Sequence, residues 1–445
     1  MNRMKSYPRS AGGLLLASAL LMLAGCSDHK QGEAEPAAPV TATPTASAAD
    51  PGEAALIERG QYLARAGDCM ACHSVPGKAP YAGGLAIKSE VGTIFSTNIT
   101  PDATAGIGRY TEQQFSDAVR KGIRADGQHL YPAMPYPSYA KTTDEDMHAL
   151  YVYFAKGVKP AAEQPQVTDL SFPFSQRWGM ALWNRAFGNE KPFVASAGAG
   201  GELARGAYLV QGLGHCGSCH TPRGFAMNEK GFDDGATLFL SGGDLNGWHA
   251  PSLRGLPQWT QAEIVDYLAT GRNRTAAVAG EMTSVVANST SHLSDADLGA
   301  VAVYLKSLPS DTPAVQPDAA AAQATTAQLT RATGLGEGQR LYLDNCAACH
   351  FVDGHGGARV FPRIDGASVV NADNPTGLIK VILGGAETPS TARGPAVLPM
   401  PGFAGRLSDR EVADLATFVR GGWSNKAGAV SERQVAKARE ALHEE

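Results

Sequence analysis

Cys69-Met70-Ala71-Cys72-His73, Cys216-Gly217-Ser218-Cys219-His220 and Cys346-Ala347-Ala348-Cys349-His350 decide how the rest of the chain is read. Cysteines three positions apart fall on one side of a helical turn, and each pair is followed at once by a histidine. Thiols so placed form thioethers to both vinyl groups on one porphyrin edge, and the adjacent imidazole points at the iron. Other uses of paired cysteines fit less well. A thioredoxin-like redox pair needs a βαβ context, which this sequence lacks. A zinc ribbon sets its two pairs about 15–20 residues apart, whereas these motifs lie far apart in separate stretches. The pattern predicts three covalently bound haem c groups. Attachment would be at Cys69 and Cys72, Cys216 and Cys219, and Cys346 and Cys349, with His73, His220 and His350 as proximal iron ligands.

The chain holds seven cysteines, and the odd one is Cys26. Arg3, Lys5 and Arg9 precede an apolar run, Ala11 to Gly25, with the proportions of a secretory leader. The run ends Leu23-Ala24-Gly25-Cys26, which resembles a bacterial lipobox. Residues 1–25 are therefore expected to be a lipoprotein signal peptide and Cys26 the lipidation site. The mature chain would lie on the periplasmic side of a bacterial membrane, held through a lipid anchor. Residues 26–52, rich in Ala, Pro and Thr, read as a flexible tether. With 445 residues, the chain exceeds what one core usually organises. A net charge of −5 with both signs interspersed gives no basic patch, so nucleic acid is not a partner.

Beyond the tether the sequence repeats. Each unit opens with a short amphipathic stretch, as in Arg59-Gly60-Gln61-Tyr62-Leu63, Arg205-Gly206-Ala207-Tyr208-Leu209 and Gly338-Gln339-Arg340-Leu341-Tyr342. Each closes with a helix signal of a capping residue and an acid three places on: Thr143 with Asp146, Ser294 with Asp297, Ser408 with Glu411. The first two units share a middle helix starting near Thr111 and Thr260. Strand signals are few. The fold expected is all-α, in three small domains at 53–194, 195–309 and 332–425. An Ala/Pro/Thr-rich linker at 310–331 separates the last, and a charged C-terminal tail fills 426–445. Domains this small need something large and apolar to pack around, and a porphyrin serves.

The sixth iron ligand separates a carrier from a catalyst, so the methionines matter. Met134 lies in Tyr131-Pro132-Ala133-Met134-Pro135-Tyr136-Pro137, and Met400 in Leu398-Pro399-Met400-Pro401-Gly402-Phe403. Flanking prolines hold both in extended loops suited to a ligand. Met282, in a loop after Gly280-Glu281, lies 62 residues beyond His220, against 61 from His73 to Met134, so the repeat supports that pairing. Met147 and Met180 read as packing residues, and Met227 lies too close to His220 to reach the opposite haem face. His129, His215, His249, His292 and His355 read as surface or hydrogen-bonding groups. Asp233, Asp234 and Gly242-Gly243-Asp244 read as turns, since no EF-hand spacing follows.

These residues resemble the triheme cytochrome c subunit of bacterial membrane-associated alcohol, gluconate or aldehyde dehydrogenase complexes. The most specific stretches are Ser96-Thr97-Asn98-Ile99-Thr100-Pro101-Asp102, His215 to Gly224, Gly247-Trp248-His249-Ala250-Pro251-Ser252-Leu253, Phe361-Pro362 and Phe418-Val419-Arg420-Gly421-Gly422-Trp423. The resemblance implies three tandem class I cytochrome c-type domains, each wrapped around one covalent haem. It also implies a partner dehydrogenase subunit of flavin, pyrroloquinoline quinone or molybdenum type. Electrons from an alcohol, aldehyde or sugar acid would pass through this chain to ubiquinone or another respiratory acceptor, such as a terminal oxidase or cytochrome. Met134, Met282 and Met400 would be the distal ligands, and no catalytic residue is expected. Two other readings are a free-standing lipid-anchored periplasmic carrier, suggested by the tether, and a haem enzyme such as a peroxidase with one open haem.

Overall fold

Each of the three repeats is built on two helices that cross. Pro51–Ala66 packs on Asp144–Val152, Gly201–Gln211 on Asp295–Ser307, and Glu337–Asn345 on Asp409–Gly421. The closing helices start where their caps predict. The side chains of Thr143, Ser294 and Ser408 accept from the backbone N–H groups of Asp146, Asp297 and Glu411, satisfying donors that a helix start leaves unpaired. Middle helices Glu112–Lys121 and Gln261–Thr270 begin in full capping boxes at Thr111 and Thr260. This computed structural model describes residues 51–444 apart from positions 90, 197, 246 and 311–316. The leader, Cys26 and the tether up to residue 50 lie outside the described residues.

A glycine occupies each helix crossing. A Cβ on Gly60 would stand 2.1 Å from the carbonyl oxygen of Ala149, on Gly206 1.9 Å from that of Ala300, and on Gly338 2.2 Å from that of Asp414. Only a residue without a side chain lets the two backbones approach so closely. The aromatic residues four positions further on, Tyr153 just past its closing helix and Tyr304 and Phe418 within theirs, flank the same glycines.

The described chain is mostly helical, with three short antiparallel sheets added to the expected pattern. Ala86–Ser89 pairs with Gly92–Phe95, which pairs with Asp169–Leu170. Gly243–Leu245 pairs with Trp248–Ala250, and Ala386–Glu387 with Pro399–Met400. Residues of all three repeats belong to one unit, Ala49–Glu445. The core of the first repeat runs on into the second, since Leu63, Tyr139 and Leu150 share a cluster with Tyr208, Leu213, Leu293 and Leu298. The second repeat also has a cluster of its own, with Leu209, Val210, Phe239, Ile264 and Leu305. Phe193, just before the break expected at 194/195, packs against both clusters.

Two segments depart from expectation. Within the stretch expected as a linker, 310–331, residues Ala319–Arg331 form a helix capped by Asp318. Its Leu329 is buried in the core of the third repeat, and the Thr325 hydroxyl accepts from the Trp423 N–H. Its alanines, which suggested an unstructured stretch, are also the strongest helix formers. Within the tail, Glu432–Glu444 is a helix whose Val435 and Ala438 are buried and whose Leu442 packs beside them, three and four residues apart on one face. Arg439 fastens it, donating to Asp409 at 2.6 Å and to the Leu407 carbonyl at 2.8 Å.

Because the crossing glycine faces backbone that cannot yield, Gly206→Ala should destabilise the protein by about 3 kcal/mol, the upper end for an overpacked core. Gly405→Ala, where a Cβ meets nothing within 4 Å, should cost close to nothing. Denaturant midpoints at unchanged slope make the comparison, and equal midpoints for the two variants would show the crossing is looser than described.

Candidate functional site

The opening helix of each repeat ends shortly before its CxxCH turn, at Ala66, Gln211 or Asn345. In the first two repeats the residue before the motif, Asp68 or His215, takes a left-handed conformation (φ 51° and 34°) from which the new turn starts. The turn itself is a short helix at Cys69–His73, Gly217–His220 and Ala347–His350. The six cysteines form no disulfide. Each pair therefore presents two thiols from one turn, as double thioether attachment requires.

The histidines share one geometry. His73 Nδ1 lies 2.7 Å from the Thr97 carbonyl, His220 Nδ1 2.7 Å from that of Pro251, and His350 Nδ1 2.9 Å from that of Pro362. A carbonyl can only accept, so Nδ1 carries the proton and Nε2 keeps its lone pair. Burial holds all three imidazoles below their usual pKa, which favours that neutral form. An imidazole fixed at Nδ1 and basic at Nε2 is prepared to ligate iron. The donor set, two thiols and an oriented imidazole from one turn, fits haem c three times over.

The methionines divide. Met134 packs against the cluster that also takes in Cys69, and Met400 against the one that takes in Cys346. Met134 sits in a tight turn, its N–H bonded to the Tyr131 carbonyl and its carbonyl to the Tyr136 N–H. Met400 is held in a strand opposite Ala386. Met282 differs from expectation: it is the second residue of a helix, Glu281–Asn288, and not part of a loop. Gly280 (φ 59°) starts that helix against the Trp248 ring, where a Cβ would stand 2.6 Å away. Trp248 lies three residues before Pro251, so the start of this helix is tied to the strand that orients His220. Met147 is fully buried packing. Met227 is largely exposed. His129, His249 and His355 are engaged by Asn184, Asp244 and Arg363. His215 is half-buried, with its ring edge-on to Tyr139.

The first two motifs lie side by side. Burial pushes the thiols of Cys72 and Cys219 up to about 11, and the carboxylate of Glu281 contributes at both. The helix that Glu281 begins also packs on Cys69–His73. Around them the two repeats clasp each other reciprocally. Arg59 binds Asp146 within the first repeat, and Tyr208 of the second donates to the same carboxylate at 2.6 Å. Arg205 binds Asp297 through Nε and Nη2 at 2.8 and 2.7 Å, and Tyr62 of the first repeat donates to it at 2.6 Å. These clasps were not foreseen from sequence, although the matched Arg-Gly-x-Tyr stretches that supply them were plain.

Comparison with known proteins agrees with this geometry. The cytochrome c family matches residues 57–156, 203–309 and 335–423, and the chain belongs to that family, with covalently bound haem c as its cofactor. It is 47% identical over 403 residues to the cytochrome c subunit of a quinone alcohol dehydrogenase from Gluconobacter oxydans, covering 88% of this chain and 84% of that one. It is 45% identical to the gluconate 2-dehydrogenase cytochrome c subunit of Pantoea cypripedii, with 88% and 92% covered. To the fructose dehydrogenase cytochrome subunit of Gluconobacter japonicus it is 37% identical, with 94% and 87% covered.

The clasp predicts a pH dependence. Burial alone would raise the Asp297 carboxyl, but hydrogen bonds from Arg205 and Tyr62 outweigh it and hold the group below its usual range. A depressed carboxyl stabilises fully above its unfolded value near about 4 and loses that contribution as pH falls through the lower folded value. Asp297→Asn should therefore cost about 2 kcal/mol at neutral pH, and the gap to the parent should close in acid. A gap of constant size from neutral pH into acid would assign the cost to packing instead.

Proposed function

We propose that this chain is the electron-transfer subunit of a membrane-associated dehydrogenase complex, accepting electrons from a catalytic partner and passing them to ubiquinone or another respiratory acceptor. The observation that carries the reading is the threefold recurrence of a CxxCH turn whose histidine is fixed at Nδ1 by a backbone carbonyl. Haem c supplies one-electron chemistry when bound. The chain's residues tether and clamp it. Cys69 and Cys72, Cys216 and Cys219, and Cys346 and Cys349 provide the thioethers. His73, His220 and His350 would hold the iron through Nε2, and Met134, Met282 and Met400 would supply its second protein ligand. Iron held by both a histidine and a methionine would offer substrate no place, and haem c so held would carry electrons without transforming substrate.

The names of the relatives support a dehydrogenase partner, since all three are cytochrome subunits of such enzymes. That partner would hold the flavin, pyrroloquinoline quinone or molybdenum cofactor that removes electrons from an alcohol, aldehyde or sugar acid. Export and acylation at Cys26 complete the proposal, supported by the basic residues, the apolar run and Leu23-Ala24-Gly25-Cys26.

Purification from native membranes should recover a large dehydrogenase subunit, and its substrate should reduce the haem bands of the intact complex. Recovery of the chain alone, with no substrate reducing it, would leave a free carrier as the better reading. Ligation has its own test. Met400→Ala should keep all three haems attached, and the reduced variant should bind carbon monoxide at one haem where the parent binds none. Carbon monoxide behaviour identical to the parent's would remove Met400 from the ligand set.

A further inference from the structure

Two of the three methionines carry their own support. Met134 has Pro132 and Pro135 beside it, and Met400 lies between Pro399 and Pro401, so fixed φ angles stiffen both segments. Met282 has no such help: the nearest prolines are Pro257 and Pro309. It sits in the first turn of Glu281–Asn288, a helix of 8 residues, and helices that short hold their shape only where packing holds it for them. The support must come from elsewhere in the fold.

A hairpin supplies it. Strand Gly243–Leu245 packs on the turn Gly217–His220, where a Cβ on Gly243 would stand 2.9 Å from the carbonyl oxygens of Cys219 and Thr221. Its partner strand Trp248–Ala250 ends beside Pro251, whose carbonyl accepts from His220 Nδ1. The first residue of that strand meets the methionine's helix. A Cβ on Gly280, two residues before Met282, would stand 2.6 Å from Cε2 of Trp248 and 2.8 Å from Cδ2 and Cζ2. One hairpin thus fixes the imidazole through Pro251 and backs the start of the Met282 helix through Trp248.

The third repeat closes on the same ring. Helix Thr376–Gly384 packs on strand Trp248–Ala250, and a Cβ on Gly377 would lie 3.1 Å from Cε3 of Trp248. At Gly247 a Cβ would meet Cγ2 of Thr376, also at 3.1 Å. A ring packed against glycines of two repeats has little room to shift, and close-packed interiors pass a displacement on to their neighbours. The other repeats lack this device. Three positions before the carbonyl that accepts from the histidine, where the second repeat has Trp248, the first has Ile94 and the third Arg359.

We infer, on the reading that Met282 is the methionine ligand of the second haem, that Trp248 is the positioning residue for it. Packed between Gly280 and Gly377, the indole holds the helix start that aims Met282, and it makes the ligand set of the second repeat depend on the docking of the third. Trp248 does for Met282 what flanking prolines do for Met134 and Met400, with the difference that its own support comes from another repeat.

The test compares variants of the haem-loaded full chain. Methionine sulfur on ferric haem gives a weak red absorption band, and a thioether ligand raises the reduction potential. Met282→Ala should remove the band from one haem of the three. Trp248→Leu should weaken the band of that haem and lower its potential, and the double variant Met282→Ala/Trp248→Leu should lose no more band than Met282→Ala alone. Trp248→Phe, which keeps a flat ring against Gly280, should restore the band. Gly377→Val, a change in the third repeat, should weaken the same band, and it decides the question if Trp248→Leu does not hold its haems. If Met282→Ala leaves all three bands, the ligand reading falls and the role of Trp248 with it. If Met282→Ala removes one band while Trp248→Leu and Gly377→Val keep all three at the parent's potentials, the role of Trp248 alone is overturned. Band loss spread over all three haems in Trp248→Leu and not restored by phenylalanine would overturn it too, as a general loosening of the fold.

Discussion

The close approach of two backbones at Gly60, Gly206 and Gly338 is the constraint on which the rest of the molecule depends. Each opening helix has a CxxCH turn at its far end, and its position is set by where it crosses the closing helix. With the crossing fixed to within one atom's width, the turn and its histidine arrive in a defined place. A carbonyl from a distant loop, Thr97, Pro251 or Pro362, can then meet Nδ1 at hydrogen-bond distance in all three repeats. The loops differ widely: the acceptor lies 24, 31 or 12 residues beyond its histidine. What is preserved is the hydrogen bond and not the length of chain that delivers it. This is expected if the orientation of the imidazole is the property under constraint.

Much of this could be read from residues alone, and the reasons are local. Caps act within one helical turn, so Thr143, Ser294 and Ser408, and the boxes at Thr111 and Thr260, announced helix starts correctly. The cysteine pairs and their histidines are likewise contiguous. The carbonyl acceptors were not foreseen, because a backbone carbonyl has no side-chain signature. Yet Thr97, Pro251 and Pro362 all fall within the stretches that carried the family resemblance, so the signal was present without its physical meaning.

Where the reading failed, a short-range cue was overruled by packing. Pro, Ala, Gln and Thr at 310–331 suggested a linker, but Leu329 and Ala322 give the segment one apolar side, and the third core accepts it. The polar composition of 426–445 hid Val435, Ala438 and Leu442, whose helical spacing is regular but sparse. Met282 looked like a loop residue because Gly280 precedes it. The glycine's positive φ instead starts a helix against Trp248, a contact between residues 32 positions apart in sequence that no local cue reports.

The three repeats are alike in their turns but not in how they join. Arg59 and Tyr62 of the first repeat correspond to Arg205 and Tyr208 of the second, and these four residues build the reciprocal clasp on Asp146 and Asp297. The third repeat has Glu337 and Arg340 at those places, which pair with each other at 3.2 Å. It can neither hold an aspartate of its own closing helix nor offer a phenol to a neighbour's. It meets the second repeat through other contacts: the Arg363 N–H donates to the Thr275 carbonyl at 2.8 Å, Lys380 lies 5.8 Å from the Trp248 ring centroid, and Arg359 and Arg393 pair with Asp266 and Asp295. The first two repeats are thus joined by a reciprocal clasp between their opening and closing helices, and the third is joined to the second without one.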